Sequence, residues 1–201
     1  MIALIDYGMG NLHSVHKALQ HVGLDVKITS SVQDIKDSTG IVLPGVGAFP
    51  AAMANLRQFG IVEPLLSEIA KGKSYLGICL GLQLLFTRGD EGEGAEGLNL
   101  FKGNVVRFKP DVKIPHMGWN QLKIKKNTAH FSGISDGSFF YFVHSYHVRP
   151  EDESIVAVVT SYGSDFVSAV ASDNIFAVQF HPEKSQKAGL QMLANFGKMC
   201  K

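Results

Sequence analysis

The sequence contains little cysteine and shows no strong excess of either charge. Only two cysteines, Cys79 and Cys200, occur among 201 residues, too few for a disulfide framework and typical of a reducing, cytoplasmic setting. The net charge is +1 and no dense block of lysine and arginine occurs, which argues against nucleic-acid binding. The apolar start reaches Asp6 too soon for a signal peptide, and no apolar run is long enough to cross a membrane. We therefore predict one globular domain over residues 1–201, located in the cytoplasm, with no nucleic-acid or membrane partner.

The first half of the chain alternates short apolar runs with helical patterns. Strands are predicted at residues 2–5, 26–28, 41–43 and in the run that ends at Cys79; helices are predicted from about residue 11 and at 32–37, 51–59 and 62–70. Continuously apolar strands separated by helices indicate a parallel sheet that is covered on both faces.

Strand patterns dominate the second half, which follows an acidic, glycine-rich loop at residues 89–97 that we expect to be flexible. Strands are predicted at residues 104–108, 121–124, 139–143, 155–160, 166–171 and 175–180, and a final helix at about 186–199. The predicted fold class is α/β: a doubly wound, flavodoxin-like mixed sheet with a strand-rich second half.

Cys79 lies between two glycines, Gly77 and Gly81, where an apolar strand meets a helical pattern over residues 80–86. A sharp strand-to-helix turn of this kind presents a nucleophile, and glycines suit it because the backbone bends tightly. The positive N-terminus of the following helix favours a thiolate. A buried structural cysteine beside packing glycines fits the motif equally well, so the remaining motifs decide between the two interpretations.

A nucleophilic cysteine needs a base, and the chain has eight histidines, of which His116 and His130 are predicted to lie in loops. His181 ends a predicted strand and is followed by Pro182 and Glu183, so that base and orienting carboxylate can lie together where ligands collect at the end of a parallel strand. His144 and His147 are spaced for a metal, but no further ligands accompany them, and we predict no metal and no cofactor.

Acyl transfer also requires donors for an oxyanion. The backbone N–H of Leu80 supplies one, and the glycine loop containing Val46 and Gly47 is placed to supply a second, although a simple turn would also account for that loop. The glycines after the first strand do not form a dinucleotide fingerprint, since its third glycine would fall at His13.

Three motifs together resemble the class I (triad) glutamine amidotransferases: Gly-Ile-Cys-Leu-Gly-Leu-Gln-Leu-Leu-Phe at 77–86, Pro-Gly-Val-Gly-Ala-Phe at 44–49 and His-Pro-Glu-Lys-Ser at 181–185. Three more resemble the glutaminase subunits of imidazole glycerol phosphate synthases: Asp-Tyr-Gly-Met-Gly-Asn-Leu-His-Ser at 6–14, Pro-His-Met-Gly-Trp-Asn at 115–120 and Tyr-Phe-Val-His-Ser-Tyr at 141–146. The resemblance spans nearly the whole chain, and no catalytic position departs from it.

The resemblance implies a glutaminase in which Cys79, His181 and Glu183 are the catalytic triad. It implies that glutamine is converted to glutamate through a cysteine thioester, and that the ammonia passes to a (β/α)₈-barrel cyclase subunit for histidine biosynthesis. Candidate glutamine-binding residues are Gln83, Ser145 and Tyr146, and the residues placed toward the partner are Asn11, Trp119, Asn120, Tyr141 and Lys184.

Three alternatives remain open from the sequence. Another triad amidotransferase, such as the glutaminase subunit of pyridoxal phosphate synthase, would share the triad but lack the motif at 115–120. A cysteine hydrolase or peptidase would share the elbow, and a peptidase would need no partner. A catalytically silent subunit would bind a partner only, although the intact triad argues against that.

Overall fold

The computed structural model describes residues 1–109 and 111–200, so that Pro110 and Lys201 of the predicted domain lie outside the described residues. Six α-helices are present in the described ranges: α1 (Leu12–His21), α2 (Val32–Asp37), α3 (Phe49–Gln58), α4 (Val62–Ala70), α5 (Leu80–Gln83) and α6 (Gln186–Gly197). No helix in these ranges is long and apolar enough to cross a membrane.

The strands of the described ranges are numbered in chain order: β1 (Ile2–Ile5), β2 (Val26–Thr29), β3 (Gly40–Gly45), β4 (Ser74–Cys79), β5 (Phe86–Gly89), β6 (Ala95–Glu96), β7 (Phe101–Arg107), β8 (His116–Gln121), β9 (Lys123–Ile124), β10 (Phe139–His144), β11 (Tyr146–Pro150), β12 (Val156–Tyr162), β13 (Ser164–Ser172) and β14 (Ile175–Val178). Short 3₁₀ turns occur at Ala129–Phe131, Glu153–Ile155 and Pro182–Lys184.

One large mixed sheet runs in the order β2-β1-β3-β4-β14-β13-β11-β7-β5-β6, with β12 and β9 attached beside β13. The strands from β2 to β14 pair in parallel, whereas β14 and β13 pair antiparallel. Strands β1, β3 and β14 are buried along their whole length, as expected for strands with helices on both faces. The predicted α/β mixed sheet is confirmed.

A second, two-stranded sheet consists of β8 and β10, paired antiparallel with Tyr141 opposite Trp119 and His144 opposite His116. Because side chains alternate along a strand, Trp119 and Tyr141 share the outer face, while His116, Asn120 and His144 share the inner face. The inner face packs into the large core cluster through Phe140 and Phe142.

Several predicted elements need correction. The helix after Cys79 is a single turn, Leu80–Gln83, and β5 begins at Phe86, so the helical pattern over residues 80–86 was wrong in its second half. The predicted loop around His116 is instead β8, and Tyr146–Pro150 forms a strand that was not predicted. These segments have short apolar stretches whose partners are distant in sequence, and local periodicity does not report such pairing.

Candidate active site

Three neighbouring parallel strands end at the same edge of the large sheet and bring the predicted catalytic groups together. Cys79 ends β4 and lies beside Gly45 at the end of β3. On the other side, β14 pairs with β4 up to Val178 and Ile78, and the chain then continues to His181. The loop with Val46 and Gly47, the nucleophile and the histidine are therefore adjacent although they are far apart in sequence.

The backbone at Cys79 is in a conformation that non-glycine residues rarely adopt, with φ 56° and ψ −104°. The two glycines around it permit the turn. A β-carbon on Gly77 would lie 2.6 Å from the carbonyl oxygen of Gly81, and one on Gly81 would collide with the carbonyl oxygen of Leu43. The strand therefore turns directly against its neighbour, which is the geometry of a nucleophile elbow.

His181 and Glu183 form a buried pair beside the nucleophile. Nδ1 of His181 lies 2.7 Å from Oε1 of Glu183, and their side chains are 3% and 1% exposed. The His181 N–H donates to the carbonyl of Tyr141, and the Ser185 hydroxyl donates to the carbonyl of His181, so β10 holds this segment in place. Within residues 1–109 and 111–200, Nε2 of His181 has no hydrogen-bond partner. That nitrogen is free to exchange a proton.

The charge environment of His181 favours its protonated form. Burial alone would lower its pKa, but the negative charge of Cys79 and the Glu183 carboxylate outweigh burial and raise the pKa of His181 to about 10. A buried histidine that favours its protonated form, placed beside a cysteine sulfur, is the arrangement of a cysteine–histidine nucleophile, so the pair is suited to acyl transfer.

Cys79 opens into a pocket of about 300 Å³. Its wall consists of Val46, Gly47, Cys79, Leu80, Gln83, Glu91, Pro115, Val143, His144, Ser145 and Tyr146. The predicted oxyanion residues and the predicted glutamine-binding residues thus line one cavity with the nucleophile. A cavity of this size suits a small substrate rather than an extended chain.

Glu91 is a pocket residue that the sequence motifs did not predict. It belongs to the acidic loop at 89–97, in which the short strand β6 lies. Oε2 of Glu91 accepts a hydrogen bond from the backbone N–H of Phe49 at 2.7 Å, at the start of α3. The sequence of this loop does not indicate which of its acidic side chains faces the pocket.

Gln179 is a second residue that the sequence motifs did not predict. It is fully buried, and its Nε2 donates to Sγ of Cys79 at 3.5 Å. Gln83 donates through Nε2 to Oε1 of Gln179 and to the carbonyl of Tyr146, each at 3.0 Å. The signal that could have found Gln179 is its position two residues before His181, where the end of β14 runs beside the nucleophile.

The loop at the end of β3 is anchored by a hydrogen bond from Tyr7. The hydroxyl of Tyr7 donates to the carbonyl of Pro44 at 3.0 Å, and Gly47 has a φ of 102°, in the region that favours glycine. Val46 is 42% exposed at the pocket mouth. The structure brings the loop to the nucleophile, while its role in binding an oxyanion stays a prediction.

The residues predicted to face a partner lie in different settings. Trp119 is 46% exposed with its ring 6.1 Å from that of Tyr141, and Nζ of Lys184 lies 5.7 Å from the Tyr141 ring centroid. Asn11 is exposed and caps α1 by accepting a hydrogen bond from Ser14 N–H. Asn120 is half-buried and its amide turns inward, donating to His116 and to the carbonyl of Ser161.

The histidines and acidic residues of the described ranges do not gather into a metal centre. Across residues 1–109 and 111–200, no group of three or more histidine, cysteine, aspartate or glutamate side chains could hold a metal ion. His144 and His147, which are spaced for a metal in sequence, lie on different strands and each places Nδ1 next to a backbone carbonyl.

Comparisons with known proteins agree with this geometry. The family model described as glutamine amidotransferase class-I matches residues 3–200. In solved structures, a chain of PurLQS from Thermotoga maritima has a TM-score of 0.79 at 19% identity, covering 100% of this chain and 98% of that one. The glutaminase domain of CTPS from Trypanosoma brucei has a TM-score of 0.66 at 17% identity, covering 98% of this chain and 93% of that one. At these identities the two structures support the fold alone.

The chain belongs to the class I glutamine amidotransferase family. Its curated relatives include the imidazole glycerol phosphate synthase subunit HisH of Caldanaerobacter subterraneus subsp. tengcongensis, 52% identical over 201 residues and covering 100% of this chain and 99% of that protein. The protein of the same name from Aquifex aeolicus is 52% identical over 194 residues, covering 96% of this chain and 94% of that protein.

Proposed function

We propose that this chain is the glutaminase subunit of an imidazole glycerol phosphate synthase. It hydrolyses glutamine to glutamate and ammonia, and the ammonia serves a second subunit of the same complex. The observation that carries this proposal is the strained Cys79 in the wall of a small pocket, with the buried His181–Glu183 pair beside it. Full-length similarity to HisH subunits supports the choice of complex.

The geometry supports a two-step reaction at Cys79. The sulfur attacks the side-chain carboxamide carbon of glutamine, and a carbon–sulfur bond forms. His181 then protonates the departing nitrogen, the carbon–nitrogen bond breaks and ammonia leaves a γ-glutamyl thioester. A water molecule, which gives its proton to His181, attacks the thioester and releases glutamate. Glu183 orients the ring and stabilises its positive charge in both steps.

Charge that develops on the carboxamide oxygen needs donors. The backbone N–H of Leu80, directly after the nucleophile, is one, and the loop with Val46 and Gly47 supplies the other from the neighbouring strand. Losing one such donor typically lowers kcat by about 10²–10³.

The remaining pocket residues match the polar ends of an amino acid. Glu91 is the anionic side chain of the pocket wall and pairs with the α-ammonium group. The carbonyls of Ser145 and Tyr146 already accept hydrogen bonds from Phe108 N–H and from Gln83. Because these carbonyls are already occupied, residues 145–146 offer the α-carboxylate of glutamine hydrogen-bond donors. These donors are the backbone N–H groups and the Ser145 hydroxyl. Gln83 uses both hydrogens of its amide nitrogen within the protein, which leaves its oxygen as an acceptor for the substrate.

A (β/α)₈-barrel cyclase is the proposed partner. It docks against the surface formed by Trp119, Tyr141, Lys184 and Asn11, where Met117 and Phe139 are also exposed, at 62% and 54%. Aromatic side chains at the centre of such a surface are natural hot spots. This surface continues into the triad, because the carbonyl of Tyr141 accepts the His181 N–H. With two free cysteines, Cys79 and Cys200, the complex is expected in the reducing cytoplasm.

The deciding experiment measures glutamate release by the purified chain, alone and with a cyclase subunit carrying its nucleotide ligand. We expect a slow rate alone and a large increase in the complex, since the partner favours the active conformation. Cys79→Ala should abolish glutamate release while the complex still uses added ammonia. Equal rates with and without the partner would contradict the coupling, and loss of both reactions in Cys79→Ala would point to a structural cysteine.

The same assay separates the alternatives. A peptidase would cleave peptides without a partner and leave glutamine intact. A glutaminase subunit of pyridoxal phosphate synthase would respond to a different synthase, and a silent subunit would resist labelling of Cys79 by a glutamine-analogue electrophile.

A further inference from the structure

Two buried histidines on the inner face of the β8–β10 sheet take no part in the reaction described above. His116 and His144 are register partners in the two strands, and they are 3% and 6% exposed. His116 lies between two rings, at 4.0 Å from Tyr162 and 4.8 Å from Phe142, with nearly parallel planes. Stacking on both sides fixes the orientation of this imidazole, so that its nitrogens point in set directions.

The donor and the acceptor of each hydrogen bond made by these two histidines can be assigned. Nδ1 of His144 lies 2.8 Å from the carbonyl oxygen of Tyr146, which can only accept, so Nδ1 carries the hydrogen. In a neutral ring Nε2 of His144 then accepts, and it lies 2.9 Å from Nδ1 of His116. His116 must donate there, which leaves its Nε2 to accept from Nδ2 of Asn120 at 3.2 Å.

This assignment requires both rings to be neutral, and their environment keeps them so. Burial lowers the pKa of His116 to about 4. Burial is also the main reason that the pKa of His144 falls to about 3, in spite of its bond to the Tyr146 carbonyl. Both rings are therefore uncharged at neutral pH, with the hydrogen on Nδ1.

A second arm starts from the same carbonyl and ends at the nucleophile. Because the Tyr146 oxygen accepts, the amide group of Gln83 must present its nitrogen to it, and the same nitrogen donates to Oε1 of Gln179. Gln179 must then turn its own nitrogen toward Sγ of Cys79. The orientations of the Gln83 and Gln179 amide groups are thus both fixed by a single acceptor, the Tyr146 carbonyl.

We propose that the Tyr146 carbonyl is the node of a hydrogen-bond network that positions Cys79, in which His116 and His144 are positioning residues and Gln179 is the donor to the sulfur. The proposal rests on the proposed glutaminase function. One arm, Asn120–His116–His144, holds the carbonyl from the sheet that carries Trp119. The other arm, Gln83–Gln179, connects this carbonyl to the sulfur of Cys79 by hydrogen bonds. An N–H donor at the sulfur favours the thiolate.

The tautomers provide a test that needs no variant. Nitrogen-15 NMR of the full chain, labelled at histidine, should show that at pH 7 both His116 and His144 carry the hydrogen on Nδ1 and have an unprotonated Nε2. Finding Nε2–H on either ring, or an imidazolium at pH 7, would overturn the network. Glutamate release plays no part in this readout, so its result is distinct from the fate of the proposed function.

A pair of variants tests the consequence for catalysis. His116→Phe keeps the stacking and removes both hydrogen bonds, whereas His116→Gln can donate to His144 and accept from Asn120. In the complex with the cyclase, we expect His116→Phe to lower kcat/KM for glutamine about tenfold and His116→Gln to recover most of the loss. Chemical alkylation of Cys79 should be fastest in the wild-type protein, slower in His116→Gln and slowest in His116→Phe.

Wild-type activity in His116→Phe, or equal losses in both variants at unchanged melting temperature, would refute the positioning role. Absence of glutamate release from the wild-type complex would instead contradict the proposed function, leaving the tautomer result to stand by itself.

Discussion

At the scale of single residues, the site depends on groups that hold Cys79 in an unfavourable conformation. Its φ of 56° costs on the order of 1–3 kcal/mol, which the surrounding packing must offset. The sulfur lies 3.9 Å from the carbonyl of Val143 and accepts a hydrogen bond from Gln179. The negative charge of Cys79 in turn raises the pKa of His181. The state of His181 therefore depends on the charge at Cys79.

The first prediction concerns the titration of His181. In the wild-type chain the ring should remain protonated well above pH 7, because its pKa is raised to about 10. A pKa raised on folding stabilises the protein fully below the unfolded value near 6.5, and this contribution is lost as the pH rises toward about 10. Replacing Cys79 by alanine removes the largest charge that opposes burial, so the pKa of His181 should fall.

NMR titration of His181 in the wild-type chain, Cys79→Ala and Cys79→Ser measures this effect. The two variants should behave alike, since neither carries a charge. A His181 titration that is the same in all three proteins would contradict the charge pairing.

The second prediction concerns Glu91 and the substrate. Glu91→Gln removes the negative charge but keeps an acceptor for the Phe49 N–H. We expect KM for glutamine to rise roughly tenfold to hundredfold with a smaller change in kcat, since a charge-assisted hydrogen bond contributes about 1.5–3 kcal/mol. Glu93→Gln, in the same loop but outside the pocket wall, is the matched control and should leave KM unchanged. Equal KM values for both variants would remove Glu91 from the binding site.

At the scale of elements, the common edge of β3, β4 and β14 assembles the site. Each strand delivers one part: the glycine loop, the nucleophile or the histidine. The short helix α5 packs directly against β3, and for this reason Gly81 cannot carry a side chain. Sheet β8–β10 closes the other side of the pocket and holds the His181 segment through Tyr141.

The third prediction tests the packing of the elbow. Gly81→Ala forces a β-carbon against the Leu43 carbonyl, and we expect a loss of about 1–3 kcal/mol in the free energy of unfolding together with loss of glutaminase activity. Gly72→Ala is the control: its φ of 89° is strained for alanine, but the space around it is open. It should cost about 1–2 kcal/mol and retain activity. Urea unfolding and glutamate release measure both effects, and an active Gly81→Ala protein would contradict the close contact.

At the scale of the whole molecule, the parallel part of the large sheet and its strand-rich part join between β14 and β13. The pocket lies where the two meet, and the exposed face of β8–β10 lies beside it. The catalytic groups are thus within a few residues of the surface proposed for the cyclase, which allows docking to influence the site directly.

The fourth prediction concerns that surface. Trp119→Ala should weaken binding of the cyclase by about 2 kcal/mol or more, roughly thirtyfold in Kd, as expected for a central aromatic hot spot. Ile28→Ala is the control, because Ile28 is 38% exposed on β2 at the far edge of the large sheet. Calorimetric titration of both variants with the cyclase gives the comparison. Equal affinities would place the interface elsewhere.

The sequence predicted the parallel half of the fold well and the other half less well. Continuous apolar strands such as Ile2–Ile5 and the amphipathic α1 are recognisable from their local patterns. His116, by contrast, was predicted in a loop, because its strand β8 has a glycine near its centre and pairs with β10, which is distant in sequence. A strand of that kind gains its stability from distant partners, which no local pattern contains.

For the site, the chemistry of the motifs was enough to select Cys79, His181 and Glu183, since few residue types can act as nucleophile, base and orienting carboxylate. Glu91 and Gln179 could not be selected in the same way. Their roles depend on which side chain of a loop or strand turns toward the pocket, and that direction is set by hydrogen bonds from the Phe49 N–H and from the Gln83 amide.

The sequence by itself therefore determined which residues are candidates for the chemistry and which strands carry them. Only the tertiary structure decided the strain at Cys79, the pKa of His181 and the direction of every hydrogen bond that ends at the Tyr146 carbonyl. The physical reason is that these properties belong to pairs of groups, and each pair is joined by the order of strands in the sheet rather than by neighbourhood along the chain.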